Sequence, residues 1–213
     1  MCTEAIITGT PALTRDAVYF GGFDHFAYAL SRADGHVLWR VDTHKDIARD
    51  AVMAGNNVLI GSRTFDLLAL NARTGEQAWS RHMWYSTPDA PAVVADGRVY
   101  IGSSDAQAVF VYDEATGRSI WNAHVKGWSW GGVALGTHSV YTGVVGGPYH
   151  GALREGGFAA FSRADGTLRW RLDLPRPDPL ILYGFAAMPL VSGSRVFAAD
   201  LSGNVYAFDD PSG

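Results

Sequence analysis

The chain has 213 residues, 47% of them hydrophobic and 18% charged, with a formal net charge of -4. That length suffices for one sizeable core, and the slightly acidic balance offers no basic face to a phosphate backbone, so nucleic acid is excluded as an expected partner. No run approaches the roughly 20 apolar residues of a membrane helix, and the single cysteine, Cys2, rules out an intrachain disulfide, a CxxC pair and a thiolate zinc cluster.

The N-terminal stretch MCTEAIITGTPALTRDAVYF lacks the basic start, apolar run and cleavage site of a signal peptide. As given, the chain reads as cytoplasmic; one trimmed of a leader would be exported and look the same. From AVYFGG onward a strand-like unit recurs as NVLIGS, RVYIGS, SVYTGV and RVFAAD, led by Val18, Val58, Val99, Val140 and Val196. Each is a short β-branched and aromatic run closing on small residues, the signature of a strand. An apolar piece (PALT, AVMA, PAVV, GVAL or PLVS) precedes each unit across a turn of Gly, Asn, Asp or Ser.

A second element follows each unit. ALSRADGHVLW, ALNARTGEQAW, VYDEATGRSIW, AFSRADGTLRW and the shorter AFDDPSG place glycines at Gly35, Gly75, Gly117, Gly166 and Gly213, with a Trp four residues after the first four. The turn before each glycine is built for positive φ, and the Trp on the outermost strand is placed to bury its ring against the adjacent repeat. One repeat is thus four short strands. No window shows sustained helical periodicity, so helix is expected to be almost absent, and four-stranded units of about 40 residues in series predict an all-β propeller of about five blades in one domain over 1–213. The fifth copy stops before its Trp strand. The N-terminal CTEAIITG is the expected donor that closes the last blade.

The pattern A-x-D-x-x-T-G-x-x-x-W, followed closely by VYDEATGRSIW and ALNARTGEQAW, resembles the PQQ-like, quinoprotein-type repeat found in quinoprotein dehydrogenases and in the outer-membrane assembly lipoprotein. The resemblance covers almost the whole chain and implies a quinoprotein-type propeller, although such relatives usually have more blades. Members of the class that hold pyrroloquinoline quinone are marked partly by adjacent cysteines and a calcium site of Asp, Glu and Asn. A vicinal cysteine pair is impossible here, so no quinone, and with it no alcohol or sugar dehydrogenase activity of the usual kind, is expected; no other cofactor or metal is expected either.

Two loops per repeat should open on one face. They carry Trp84, Tyr85, Trp128, Trp130, Tyr183 and Phe185, interleaved with Asp24, His25, His44, Asp46, Arg49, Arg63, Asp89, His150, Arg154 and Glu155. An aromatic funnel with convergent polar groups is the usual form of a small-molecule site, while aromatics in propellers also simply fill gaps between blades. The insertion between Val144 and Gly157 lengthens one repeat and favours function, because long loops on rigid scaffolds tend to carry it. GWSWG, residues 127–131, matches G-x-S-x-G, but it links two strands where a nucleophile elbow needs a strand, a turn and a helix; rather than Ser129 as a nucleophile, the segment reads as glycine hinges around two packing tryptophans. His36 and His138 fall in turns, and the seven histidines show no compact ligand spacing.

Two functions fit. In the first, a propeller without quinone binds a small molecule, protein or peptide at its aromatic-lined top face, using Asp24, His25, Arg49, Arg63, Trp84, Tyr85, Trp128, Trp130, Arg154 and Tyr183. In the second, a small cofactor-independent lyase, cyclase or hydrolase holds an apolar or aromatic substrate in that funnel, with the acid or base drawn from His44, Asp46, His150 or Glu155.

Overall fold

A computed structural model describes residues 5–47, 49–63, 65–83, 90–149, 152–176 and 181–210. The runs AVYFG, NVLIG, RVYIG, SVYTG and RVFAA all form strands, and no helix occurs among the described residues. The first sheet contains β1 (Ala12–Leu13), β2 (Ala17–Gly21), β3 (Phe26–Ser31) and β4 (Val37–Asp42), in that order. The second contains β5 (Val52–Ala54), β6 (Asn57–Ser62), β7 (Asp66–Asn71) and β8 (Gln77–His82), and the third β9 (Val93–Ala95), β10 (Arg98–Gly102), β11 (Ala108–Asp113) and β12 (Ser119–His124). The fourth is built on β13 (Val133–Leu135), β14 (Ser139–Tyr149), β16 (Gly157–Ser162) and β17 (Leu168–Asp173), with β15 (Ala152–Arg154) and β18 (Tyr183–Gly184) both pairing with the long β14. β19 (Leu190–Ser192), β20 (Arg195–Ala199) and β21 (Val205–Asp209) make a three-stranded fifth sheet.

Of the N-terminal segment expected to close the last blade, only residues 5–9 are among the described residues, and they form no strand. Residues 5–11 contain no strand; the Ile6 carbonyl accepts from Phe23 N (3.0 Å), the Thr10 carbonyl from Ala51 N (3.0 Å), and Thr10 N donates to Asp50 Oδ1 (2.6 Å).

The chain separates into two compact units, Met1–Val99 with Tyr112–Arg118, and Tyr100–Val111 with Ser119–Gly213, the cut falling inside β10 and β11. In the first unit the repeat shows its mechanics. Gly75 and Gly117 adopt φ of 76° and 64°, which Gly accepts without steric cost. A Cβ on Gly75 would lie 2.9 Å from the Trp39 ring, and one on Gly117 2.6 Å from the Trp79 ring. Each indole N–H also donates to the carbonyl three residues before that glycine, Trp39 to Ala72 (2.9 Å) and Trp79 to Glu114 (3.0 Å). The second unit repeats the arrangement, with Trp121 against Gly166 and donating to Arg163 (3.2 Å).

A register shift sets up the seats of Trp39 and Trp79, and the same shift lies opposite Trp170. Ala29 faces Trp39 while Leu30 faces Val37, leaving Leu38 as the extra residue of a bulge; the same shift occurs at Ala69/Leu70 and Ala160/Phe161. A bulge sharpens the local twist and re-aims the next side chain, here the Trp. Each of Trp39, Trp79 and Trp121 is under a tenth exposed, and burial on that scale contributes ~4–6 kcal/mol of transfer free energy. Around these seats lie the cores: Tyr19, Trp39, Val58, Ile60 and Leu70 in the first unit, and Tyr141, Phe158, Phe185 and Val196 in the second.

Candidate functional site

The loops of each unit are held by a recurring latch. His25, Phe65 and Gln107 each directly precede the third strand of their repeat, and all three sit at positive φ (71°, 69° and 49°). A residue with a Cβ pays roughly 1–2 kcal/mol for that conformation. The carbonyl of each accepts from the residue just beyond the fourth strand: Thr43 N to His25 (2.8 Å), Met83 N to Phe65 (2.7 Å) and Val125 N to Gln107 (2.8 Å). The strained turns are therefore fixed by the connections that leave the Trp strands.

In the first unit three of the residues expected from sequence come together beside the latch. His25 Nε2 lies 3.1 Å from Asp46 Oδ1, and an Arg63 guanidinium nitrogen 4.0 Å from Asp46 Oδ2, while Arg63 N donates to the Asp46 carbonyl (3.1 Å). Asp24 turns inward on its own loop, where its carboxylate accepts from Phe26 N (3.3 Å) and from the Tyr28 hydroxyl (2.5 Å). Burial, and then the Asp24 carboxylate, push the Tyr28 phenol up to about 12. His44, also at positive φ, belongs elsewhere: its N donates to Asp42 Oδ1 (2.7 Å), and its ring stands 82% exposed beside the same carboxylate. Arg49 is exposed. The result is an exposed imidazole–carboxylate–guanidinium row on a rigid loop frame, suited to pairing with charged groups of a partner.

The second unit uses its expected aromatics differently. Trp128 is buried, bridges Val145 through paired backbone hydrogen bonds (2.9 Å each) and stacks on the half-buried Trp130 at 5.1 Å and 16°. Tyr183 and Phe185 are buried as well; Phe185 packs edge-on to Phe158, and the Tyr183 hydroxyl donates to the Arg154 carbonyl (3.5 Å). Gly127 has to be glycine, because a Cβ there would lie 2.5 Å from the Glu155 carbonyl oxygen and 2.6 Å from that of Val145. Ser129 is sealed, its hydroxyl 2.6 Å from that of the equally buried Thr142, which fits packing and leaves no path for a substrate to reach it. Glu155 pairs with Lys126 (3.3 Å) and lies 3.9 Å from Arg171, whose nearly buried guanidinium also contacts Asp173 and the Val125 carbonyl. Trp84, Tyr85, Asp89 and His150 lie outside the described residues.

The insertion is a hairpin. β14 runs 11 residues, pairing with β16 over its first half, while Gly147, Pro148 and Tyr149 face Arg154, Leu153 and Ala152 of β15. Leu153 is 58% exposed; Ile181 and Leu182, at 55% and 43%, lead into β18, and Leu182 Cδ2 would lie 2.7 Å from a Cβ on Gly147. Because residues alternate across a strand, Leu153 and Leu182 flank opposite faces of the hairpin. The polar residues of this insertion stand out in the sequence, whereas Leu153, an apolar residue in a long loop, is the signal of exposure there.

The first unit also holds a cleft of about 630 Å³ lined by Thr14, Asp16, Tyr19, Leu38, Met53, Asn56, Asn71 and Arg73. None of the expected loop residues lines it. Among the described residues no group of three or more His, Cys, Asp or Glu could hold a metal ion. With Cys2 the only cysteine, the residues do not fit a quinone site of the adjacent-cysteine kind. No helix among the described residues is long and apolar enough to cross a membrane.

Residues 24–210 match the sequence model of a family described as outer membrane protein assembly factor BamB. The chain is 32% identical over 137 residues to the quinohemoprotein alcohol dehydrogenase ADH-IIG of Pseudomonas putida, covering 54% of this chain and 19% of that protein. It is 25% identical over 133 residues to the outer membrane protein assembly factor BamB of Kangiella koreensis, covering 62% of this chain and 33% of that one. The solved structure of ADHIIG from Pseudomonas putida HK5 superposes with a TM-score of 0.80 at 18% identity, over 98% of this chain and 41% of that chain. The chain thus spans about a third or less of the curated relatives it matches.

Proposed function

Because the chain belongs to the PQQ-like repeat family whose model is described as outer membrane protein assembly factor BamB, we propose that it is a protein-binding module whose contact element is the β14–β15 hairpin. The five sheets are read as successive propeller blades, supported by the TM-score of 0.80 to a much longer relative. The observation that carries the binding role is the hairpin itself. It is an extension seen in one repeat among the described residues, anchored on a glycine-rich packed base, and it presents Leu153 to solvent, with the exposed Ile181 and Leu182 of the segment before β18 beside its other face. Apolar groups exposed on both faces of a projecting element suit a partner that wraps around it. A deep small-molecule funnel is not favoured, because Trp128, Tyr183 and Phe185 spend their rings on internal packing. The assembly factors among its relatives support a protein as the partner class.

Site-specific photo-crosslinking tests this. A photoreactive residue replacing Leu153 is expected to form an adduct with one discrete protein in the source cells, and the same probe replacing Leu168, also exposed in this unit, is not. Adducts of equal yield and identity at both positions would refute the proposal.

A further inference from the structure

The two units build the same corner, one filled by the chain itself and the other open. In the second unit the turn from β13 to β14 and the Tyr141 ring enclose the Asp210 carboxylate, which accepts from the Tyr141 hydroxyl (2.6 Å) and from Thr137 N (3.1 Å). Asp210 comes from the next sheet, one residue past β21, where its own N donates to the Ser194 carbonyl (2.7 Å). A Cβ on Gly136 would run into that carboxylate, so the turn closes tightly on it.

In the first unit Leu13 faces Val18 as Leu135 faces Val140, and Thr14 N donates to the Ala17 carbonyl as Gly136 N does to that of Ser139, 2.9 Å in both. That register puts Tyr19 in the place of Tyr141 and Arg15 in the place of Thr137. The rings agree: Tyr19 lies 5.9 Å from Trp39 at 36°, and Tyr141 6.1 Å from Trp170 at 46°. On the neighbouring sheet Ala72, whose N donates to the Asn56 carbonyl (2.9 Å), holds the position of Asp210. Glu114 and Arg163 hold it in the third and fourth sheets, their N donating to Gly97 and His138. Both reach the sheet before: Glu114 Oε1 lies 3.0 Å from where a Cβ on Gly55 would be, and the Arg163 guanidinium 5.8 Å over the Tyr100 ring. Of the four, Ala72 alone is too short to do so. The Tyr19 hydroxyl and Arg15 N therefore have no hydrogen-bond partner among the described residues, although Tyr19 is only 4% exposed. Tyr19 and Ala72 line the cleft of about 630 Å³.

From this we infer that the cleft binds a small carboxylic acid with an apolar body. Its carboxylate takes the place of the Asp210 side chain, accepting from the Tyr19 hydroxyl and Arg15 N. Arg73, which makes no ion pair among the described residues, adds a cation to the same lining, and Leu38 and Met53 offer the body apolar contact. Donors converging with a cation select an ionised acceptor, because charge-assisted hydrogen bonds are about twice as strong as neutral ones. Asp16 lines the cleft as well, and its repulsion of a second negative charge favours a monoacid. The site lies in the first unit and does not rest on the role proposed for the hairpin.

Acetate, benzoate and hexanoate are the probes, titrated at neutral pH into the full chain while backbone amide resonances are followed, with hexanamide as the uncharged control. Hexanoate is expected to shift the Arg15 and Ala72 amides and to bind roughly tenfold more tightly than hexanamide. Tyr19→Phe removes one donor and is expected to weaken hexanoate by about the same factor. It should leave the unfolding midpoint where it is, because the hydroxyl has no partner to lose. Ala72→Asp rebuilds the Asp210 corner within the first unit. It is expected to abolish uptake of hexanoate and to raise the unfolding midpoint, a combination that a damaged fold cannot give. Silence of the Arg15 amide with all three acids, equal binding of hexanoate and hexanamide, or hexanoate binding untouched by either substitution would each overturn the inference. So would a lower unfolding midpoint in Ala72→Asp.

Discussion

Replacing Gly117 and Gly35 separately by Ala measures what a filled Trp seat contributes. Both glycines hold positive φ, 64° and 73°, so each alanine incurs about 1 kcal/mol for the left-handed conformation. At Gly35 the cost ends there, because nothing lies within 4 Å of the new methyl. At Gly117 the methyl would sit 2.6 Å from Trp79 Cδ2 and 2.7 Å from Cε3, distances that force the ring to move. Moving it strains the hydrogen bond to the Glu114 carbonyl, about 1 kcal/mol, and overpacks a site where Trp79 is 6% exposed, roughly another 1–3 kcal/mol. Gly117→Ala is therefore expected to destabilise by about 3–5 kcal/mol and Gly35→Ala by about 1 kcal/mol. Urea unfolding followed by tryptophan fluorescence gives both values. Equal losses in the two variants would refute the seat as the unit of repeat-to-repeat packing.

In the second unit, Asp210 is 5% exposed and accepts from the Tyr141 hydroxyl (2.6 Å) and Thr137 N (3.1 Å); Tyr141→Phe removes one donor from a buried carboxylate and should cost about 1–3 kcal/mol in chemical unfolding. The exposed His25–Asp46–Arg63 row is screened by water, so Asp46→Asn should lower stability by less than ~1 kcal/mol, with the effect shrinking further in high salt. Hydrogen bonds from Ser31 and then His36 hold Asp34 down at about 2, and those from Thr116 and Thr167 lower Asp113 and Asp165. A carboxyl whose folded pKa is depressed stabilises above its unfolded value, near 3.8, and loses that contribution as pH falls through the folded one. Unfolding midpoints should accordingly fall as pH drops from about 4 towards 2, and the triple Asp→Asn variant at these positions should flatten that slope; an unchanged slope would count against the turns as its source.

What the sequence disclosed was local. The Gly-to-Trp spacing records a four-residue turn and bulge, so the seats of Trp39, Trp79 and Trp121 were legible from pattern alone, as was the hairpin's position from the excess length between Val144 and Gly157. Strand closure by CTEAIITG depended on pairing residues far apart in sequence, where composition carries no register. The aromatics misled in a similar way. Trp128 and Tyr183 look alike whether they line a cavity or plug one, and only the approach of Val145 and Arg154 to them decides the matter. His25 and Asp46, 21 residues apart, could be listed but not paired until the latch from Thr43 to His25 brought their loops together.

The most direct test of the binding role uses the protein crosslinked through position 153 as the titrant. Its affinity is measured for the wild-type chain and for a Leu153→Asp/Leu182→Asp variant. Both leucines are surface-exposed, so the unfolding midpoint should hold, while loss of two buried apolar contacts at about 1.5 kcal/mol each should weaken binding by roughly a hundredfold. Unchanged affinity in a folded double variant would contradict the assignment of the hairpin as the contact element.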